Sequence, residues 1–118
     1  MAGTVSIKRV YEPAAATDGY RVLVDRLWPR GVSKERADLG IWLKDVAPST
    51  ELRESWNHDA SRFAWFTAAY EKELAANPAV AELRQIVAAH PHVTLLYGDH
   101  DEVHNNAVVL RDYLVKRG

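Results

Sequence analysis

Arg21 to Gly31 read RVLVDRLWPRG, and the fold turns on how this stretch is parsed. Val22-Leu23-Val24 is an uninterrupted apolar run. That pattern suits a strand covered on both faces, as in the middle of a parallel sheet, better than the alternation of a half-exposed strand. A strand is therefore predicted over Tyr20–Leu27, stopped by Pro29 and Gly31. It would end in Asp25, Arg26, Trp28 and Arg30. One reading of this cluster is a strand stop with an internal Asp–Arg pair under a packed tryptophan. The other is a ligand site at a strand's carboxyl end.

On the amino-terminal side, Val5–Tyr11 alternates apolar and polar residues and is expected to be a strand, followed by a loop over Glu12–Gly19. On the carboxyl side, Ser33 can cap a short helix containing Arg36 and Ala37, and Ile41, Trp42 and Val46 mark a half-buried segment with room for a further strand near Ile41. Ser49 or Thr50 can cap the next helix, with Glu51 in its first turn. Asp59 is the expected cap of a longer helix whose face is Phe63, Phe66, Tyr70 and Leu74. Asn77-Pro78 starts another, with the stripe Val80, Leu83, Ile86 and Val87. Val93–Tyr97 reads as a short buried strand. A last helix is expected with Val103, Ala107, Leu110 and Leu114 on its core face and Asp99 or Asp101 as cap. Strands alternating with helices predict an α/β fold: a small, mostly parallel sheet of three or four strands flanked by helices, in a single domain spanning 1–118.

The composition agrees. A chain of 118 residues fits one domain, and 47% apolar with 26% charged residues is an ordinary globular balance. The formal net charge of −1 disfavours general nucleic-acid binding, because affinity for phosphate backbones needs a basic excess. There is no cysteine, which removes disulfides, thiolate catalysis and thiolate metal sites. No apolar run approaches the roughly 18 residues of a membrane span. A cytoplasmic protein without a membrane partner is expected.

In open parallel sheets ligands collect beyond the carboxyl ends of the strands. Asp25 and Gly98 would both lie there, so the polar stretch after Tyr97 joins the first cluster. Arg26, Arg30 and Arg53 are the expected anion-holding groups, since a guanidinium offers parallel donors to a phosphate or carboxylate. Lys44 could add charge, Trp28 and Trp56 could flank a ligand, and Tyr97 and Asn105 complete the candidate set. Asp25, His58 and His104 are the acid/base candidates, His58 because it titrates near neutrality. His100 and His104 stand four apart, but HDEVH does not match the zinc-protease pattern HExxH, and a third ligand would have to be His58 or Asp25. No metal is expected. Neither GxxxxGK[ST] nor GxGxxG is present, so no cofactor can be named. The expected function is binding of a small anionic ligand, phosphorylated or nucleotide-like. The alternative is a non-catalytic interaction module in which Trp and Arg residues form a contact or self-association surface, with a homodimer compatible with either.

RVLVDRLWPRG, WLKDVAPSTELR at Trp42–Arg53, NHD at Asn57–Asp59 and HNNAVVL at His104–Leu110 together resemble the YeaO-like family, the domain-of-unknown-function family numbered 488. The resemblance runs along nearly the whole chain. It implies a small bacterial or archaeal α/β protein, with Asp25, Arg26, Trp28, Arg30, Arg53, His58 and His104 among its motif positions. Longer relatives carry Cys-His-Arg near the last helix; His104-Asn105-Asn106 stands in the comparable place here, so thiol chemistry does not carry over. Ser55 replaces a usual aromatic, and Gly98-Asp99-His100 replaces a more typical Ala-Ala-Lys.

Overall fold

A computed structural model describes residues 4–117. Its strands are β1 (Thr4–Arg9), β2 (Tyr20–Leu23), β3 (Ile41–Trp42) and β4 (His92–Tyr97), joined in the order β1-β4-β2-β3 with every pairing parallel. The helices are α1 (Lys34–Ala37), α2 (Thr50–Trp56), α3 (Phe63–Ala75), α4 (Ala79–Ala89) and α5 (Asn106–Arg117). The α/β class with its parallel sheet is as predicted, and the further strand near Ile41 forms as a two-residue edge.

β4 and β2 occupy the middle of the sheet. Val22, Leu23 and Val24 have no exposed surface, and Val93 to Tyr97 are all buried. Alternate residues then serve two layers, because successive side chains on a strand point to opposite faces. Val22, Val24, Val93 and Leu95 join Phe66, Tyr70, Leu83 and Leu110 in the main core under α3, α4 and α5. Leu23 and Leu96 face the other way, onto Val10, Val32 and Ala37, with Trp28 and Trp42 packed alongside. Fully burying one Leu or Phe contributes about 1.5–3 kcal/mol, so both layers hold the sheet.

The helices start where their caps allow. Ser33 accepts from the Arg36 N–H and Ser49 from the Leu52 N–H, as expected of N-cap serines. Asp59 caps a 3-10 turn, Ala60–Arg62, that runs into α3 rather than capping α3 itself. On α3, Phe66, Tyr70 and Leu74 are buried four apart, and the Tyr70 hydroxyl donates to the Val46 carbonyl at 2.6 Å. The stripe of α4 is buried at Val80, Leu83 and Val87.

Three boundaries near the sheet's carboxyl end differ from expectation, the first being β1, which stops at Arg9 rather than Tyr11. β2 stops at Leu23, although Val24 still donates to the Leu96 carbonyl. The last helix begins at Asn106, and neither Asp99 nor Asp101 caps it. Asp101 Oδ1 accepts from the Val103 and His104 N–H groups and stabilises a turn of its own, while Asn105 Oδ1 accepts from the Val108 N–H. Such side-chain-to-backbone bonds compete with helix formation. Val103 therefore lies in the turn, 65% exposed, not on the core face.

A buried ionic cluster ties the opposite face together. Arg21 of β2 donates from Nη1 to Asp18 at 2.5 Å and from Nε and Nη2 to the Ala37 carbonyl at 3.1 and 2.8 Å. Asp18 also receives Lys8 Nζ from β1 at 3.1 Å and the Ala15 N–H at 2.9 Å.

Candidate functional site

A crevice of about 670 Å³ opens at the carboxyl ends of β1, β4 and β2, with α2 forming one wall. The parallel register creates it. Leu23 pairs with Leu96, so two residues further on Asp25 stands against Gly98, and the Gly98 N–H donates to Asp25 Oδ2 at 2.8 Å. Asn106, the first residue of α5, donates from Nδ2 to Asp25 Oδ1 at 3.2 Å and to the Val24 carbonyl at 3.1 Å. Asp25 thus clasps β2, β4 and α5. Burial raises its carboxyl above the ordinary value, with Asp99 adding to the rise; the Gly98 N–H, the Asn106 amide and His58 pull the other way.

The cations come from three segments. Arg26 donates from Nε to the Pro48 carbonyl at 3.3 Å and from Nη2 to the Ala47 carbonyl at 3.2 Å, which leaves Nη1 for another acceptor. Arg30 lies at the exposed rim. Arg53 reaches in from α2, and its buried Nε has no hydrogen-bond partner among the described residues. An unpaired buried donor on a charged group is costly, so an acceptor arriving there would recover that loss. Trp56 and Phe66 stack at 4.0 Å between centroids and supply an apolar wall, the Trp56 indole N–H being held by the Asp59 carbonyl.

His58 follows directly on the helix end. Asn57 and His58 have φ of 51° and 54°, two successive left-handed residues without a glycine. Each such residue costs on the order of 1–3 kcal/mol, and conformations of this kind gather at ligand sites. The turn sets His58 Nδ1 2.7 Å from Asp99 Oδ2, which orients the ring and leaves Nε2 without a hydrogen-bond partner among the described residues. Asp99 is itself anchored: its carbonyl accepts Arg9 Nε at 2.8 Å and its Oδ1 accepts the Asp101 N–H at 2.9 Å.

Six sequence-predicted residues converge on the crevice: Asp25, Arg26, Arg30, Arg53, Trp56 and His58. Five do not. Trp28 donates its indole N–H to the Val32 carbonyl at 2.7 Å and packs edge-on against Trp42 on the far layer. Lys44 is exposed and sits over the Trp42 ring. Tyr97 turns into the main core because the strand alternation sends it there. His104 Nδ1 pairs with Asp101 Oδ2 at 2.9 Å, and its ring meets Phe63 edge-on. Asn105 is fully buried as the cap of α5. The same local turn explains His104 and Asn105, since Asp101 delays the helix and rotates both away from the crevice.

Sequence reasoning placed the polar stretch after Tyr97 at the crevice without naming Asp99, His100 or Asn106 as ligand contacts, and it missed Tyr11 altogether. Tyr11 lies just beyond a third strand's carboxyl end, and treating all parallel strands alike would have found it. Arg9 stacks over the Tyr11 ring at 5.0 Å, and the Tyr11 hydroxyl donates to the Arg30 carbonyl at 3.1 Å. Among the described residues no three His, Asp or Glu side chains gather as a bound cation would need. No described helix is long and apolar enough to cross a membrane.

Fold and crevice together define a small parallel α/β protein with a cation-lined cleft at its strand ends. The chain belongs to the YeaO-like DUF488 family: the family described as the inactive DUF488-N3 subclade matches residues 4–117. It is 42% identical to the uncharacterised protein YeaO of Escherichia coli K12 over 110 residues, covering 93% of this chain and 96% of that one. It is 51% identical over 82 residues to the uncharacterised proteins Rv3073c of Mycobacterium tuberculosis H37Rv and Mb3100c of Mycobacterium bovis, covering 70% of each chain. No solved structure matches significantly.

Proposed function

We propose that this protein binds a small anionic ligand, phosphorylated or nucleotide-like, in the crevice and does not turn it over. The observation that carries the reading is Arg53 Nε, buried and without a partner among the described residues, in the same crevice as Arg26 and Arg30. The absence of turnover draws support from the family's description as inactive and from Asp25, both of whose oxygens are already engaged. In this reading His58 is a hydrogen-bonding contact rather than a proton-transfer catalyst. A cytoplasmic location is part of the same reading.

Thermal melting with inorganic phosphate, AMP or glucose 6-phosphate tests it. A ligand at a hundred times its Kd adds about 2.7 kcal/mol to apparent stability, which raises the melting temperature measurably. Arg26→Ala, Arg30→Ala and Arg53→Ala should each reduce the rise. A flat response to all three compounds, or a rise indifferent to all three substitutions, would sink the proposal.

The second reading, a self-association module, is favoured by one observation. Trp65 on α3 is 44% exposed with the Arg62 guanidinium 4.2 Å from its ring centroid, a pairing of the residue types that anchor protein contacts. A concentration-dependent dimer abolished by Trp65→Ala would support it. Trp28, by contrast, is a packing residue.

A further inference from the structure

We infer that the crevice reads the terminus of a phosphomonoester, inserted phosphate-first onto Arg53 and Arg26, and that Arg53 is the residue which discriminates monoesters from diesters. This inference rests on the anion-binding reading and narrows it.

Depth within the crevice is the first ground. Ala47, Pro48, Trp56 and Phe66 are all buried and form its floor and inner wall, where Arg53 Nε is also buried. Arg26 is pinned to that floor by the Ala47 and Pro48 carbonyls. Arg30, Leu27 and His100 are exposed at the rim. A charged group reaching the inner guanidiniums therefore arrives end-on. A diester phosphate carries a substituent on each side, and one of them would have to enter the floor.

Charge is the second ground. Arg26, Arg30 and Arg53 face two acids, Asp25 and Asp99, and Asp99 is already paired with His58. Asp25 already spends both oxygens on the Gly98 N–H and the Asn106 amide. A monoester carries about −1.5 to −2 charges at neutral pH, against −1 for a diester or a carboxylate, so it answers this excess more fully. Its three terminal oxygens can also accept from Arg53 Nε, Arg26 Nη1 and a third donor at once.

The rim supplies the third ground. Leu27 is 60% exposed, in a chain that buries most of its other leucines, and it lines the mouth with the Tyr11 ring. An organic body left outside the floor would rest against these two side chains.

The test is isothermal titration of two matched pairs at constant ionic strength: phenyl phosphate with methyl phenyl phosphate, and AMP with cyclic 3′,5′-AMP. Each monoester should bind at least about tenfold tighter than its diester. Arg53→Gln should bring the two members of each pair within about threefold, a free-energy gap under half that of the original preference. Arg53→Lys, which keeps the charge and the aliphatic stem, guards against misfolding and should also lose the preference, because its ammonium lacks the planar donor pair. Arg30→Gln, at the rim, should weaken both members of a pair and narrow the preference less than Arg53→Gln does. Diesters binding as tightly as monoesters, or a preference that survives in a folded Arg53→Gln protein, would overturn the inference. If benzoate binds as tightly as phenyl phosphate, the terminus-reading idea falls while anion binding stands. If no probe binds, both fall.

Discussion

Arg21 and Arg53 are two arginines reaching into the same small protein from opposite sides of the sheet, and they are treated differently. Arg21, 4% exposed, spends its guanidinium on Asp18 and on the Ala37 and Asp38 carbonyls, while Asp18 collects Lys8 and the Ala15 N–H as well. Arg53 carries a buried Nε with no partner among the described residues. A saturated ionic cluster has nothing left to offer a ligand, so its role is to hold strands together. An unsaturated one gives up stability that an incoming acceptor can restore.

Removing each arginine should separate these roles most sharply. Arg21→Ala takes the buried guanidinium away from Asp18, which keeps only Lys8 and the Ala15 N–H, and should cost about 3–5 kcal/mol in urea unfolding, the range for breaking one side of a buried pair. Arg53→Ala should cost less than about 1 kcal/mol, since it also removes an unsatisfied donor, yet abolish most of the phosphate-induced thermal shift. Equal losses of stability would break the comparison.

The clasp at Asp25 comes next. Asp25→Ala strands the Gly98 N–H and the Asn106 amide and should lower stability by about 1–3 kcal/mol, read from the same unfolding curves.

The two aspartates should also titrate in opposite directions. Burial opposes ionisation of Asp18, but the Ala15 N–H, Lys8 and Arg21 outweigh it and hold the carboxyl below its ordinary value. A depressed folded pKa gives stability that is full above the unfolded value and is lost as pH falls through the folded one. Asp25 is raised, chiefly by burial. Its contribution is full below the unfolded value and is lost as pH rises through the folded one. Carboxyl-carbon NMR titration should therefore place Asp18 and Asp25 on opposite sides of a model aspartate. Finding both on the same side would contradict the contrast.

The smallest effect expected is at Lys44. It is exposed and outside the crevice, so Lys44→Ala should change stability by no more than about 0.5 kcal/mol and leave the phosphate response unaltered.

Much of the architecture was legible in local pattern. The apolar run Val22-Leu23-Val24 marked a central strand because only a strand covered on both faces keeps three consecutive apolar residues buried. Ser33 and Ser49 marked helix starts because their hydroxyls satisfy orphan N–H groups. Parallel pairing implied that Asp25 and Gly98 would both lie beyond the strands' carboxyl ends, and there the Gly98 N–H donates to Asp25. The segment from Asp99 to Asn105 was misread because its periodicity suggested a helix while Asp101 and Asn105 offered the backbone competing hydrogen bonds.

By itself, the sequence determined which residues could lie in strands and helices, that the sheet would be mostly parallel, and that arginines would gather near the strand ends. These follow from periodicity and capping, which act over a few residues. Only the tertiary structure decided which polar groups would be used up. Trp28 and Arg53 carry the same promise in a line of letters, but one indole N–H finds the Val32 carbonyl and one guanidinium Nε finds no acceptor among the described residues. That outcome depends on where chain segments far apart in sequence come to rest, and partner saturation is a property of the assembled packing.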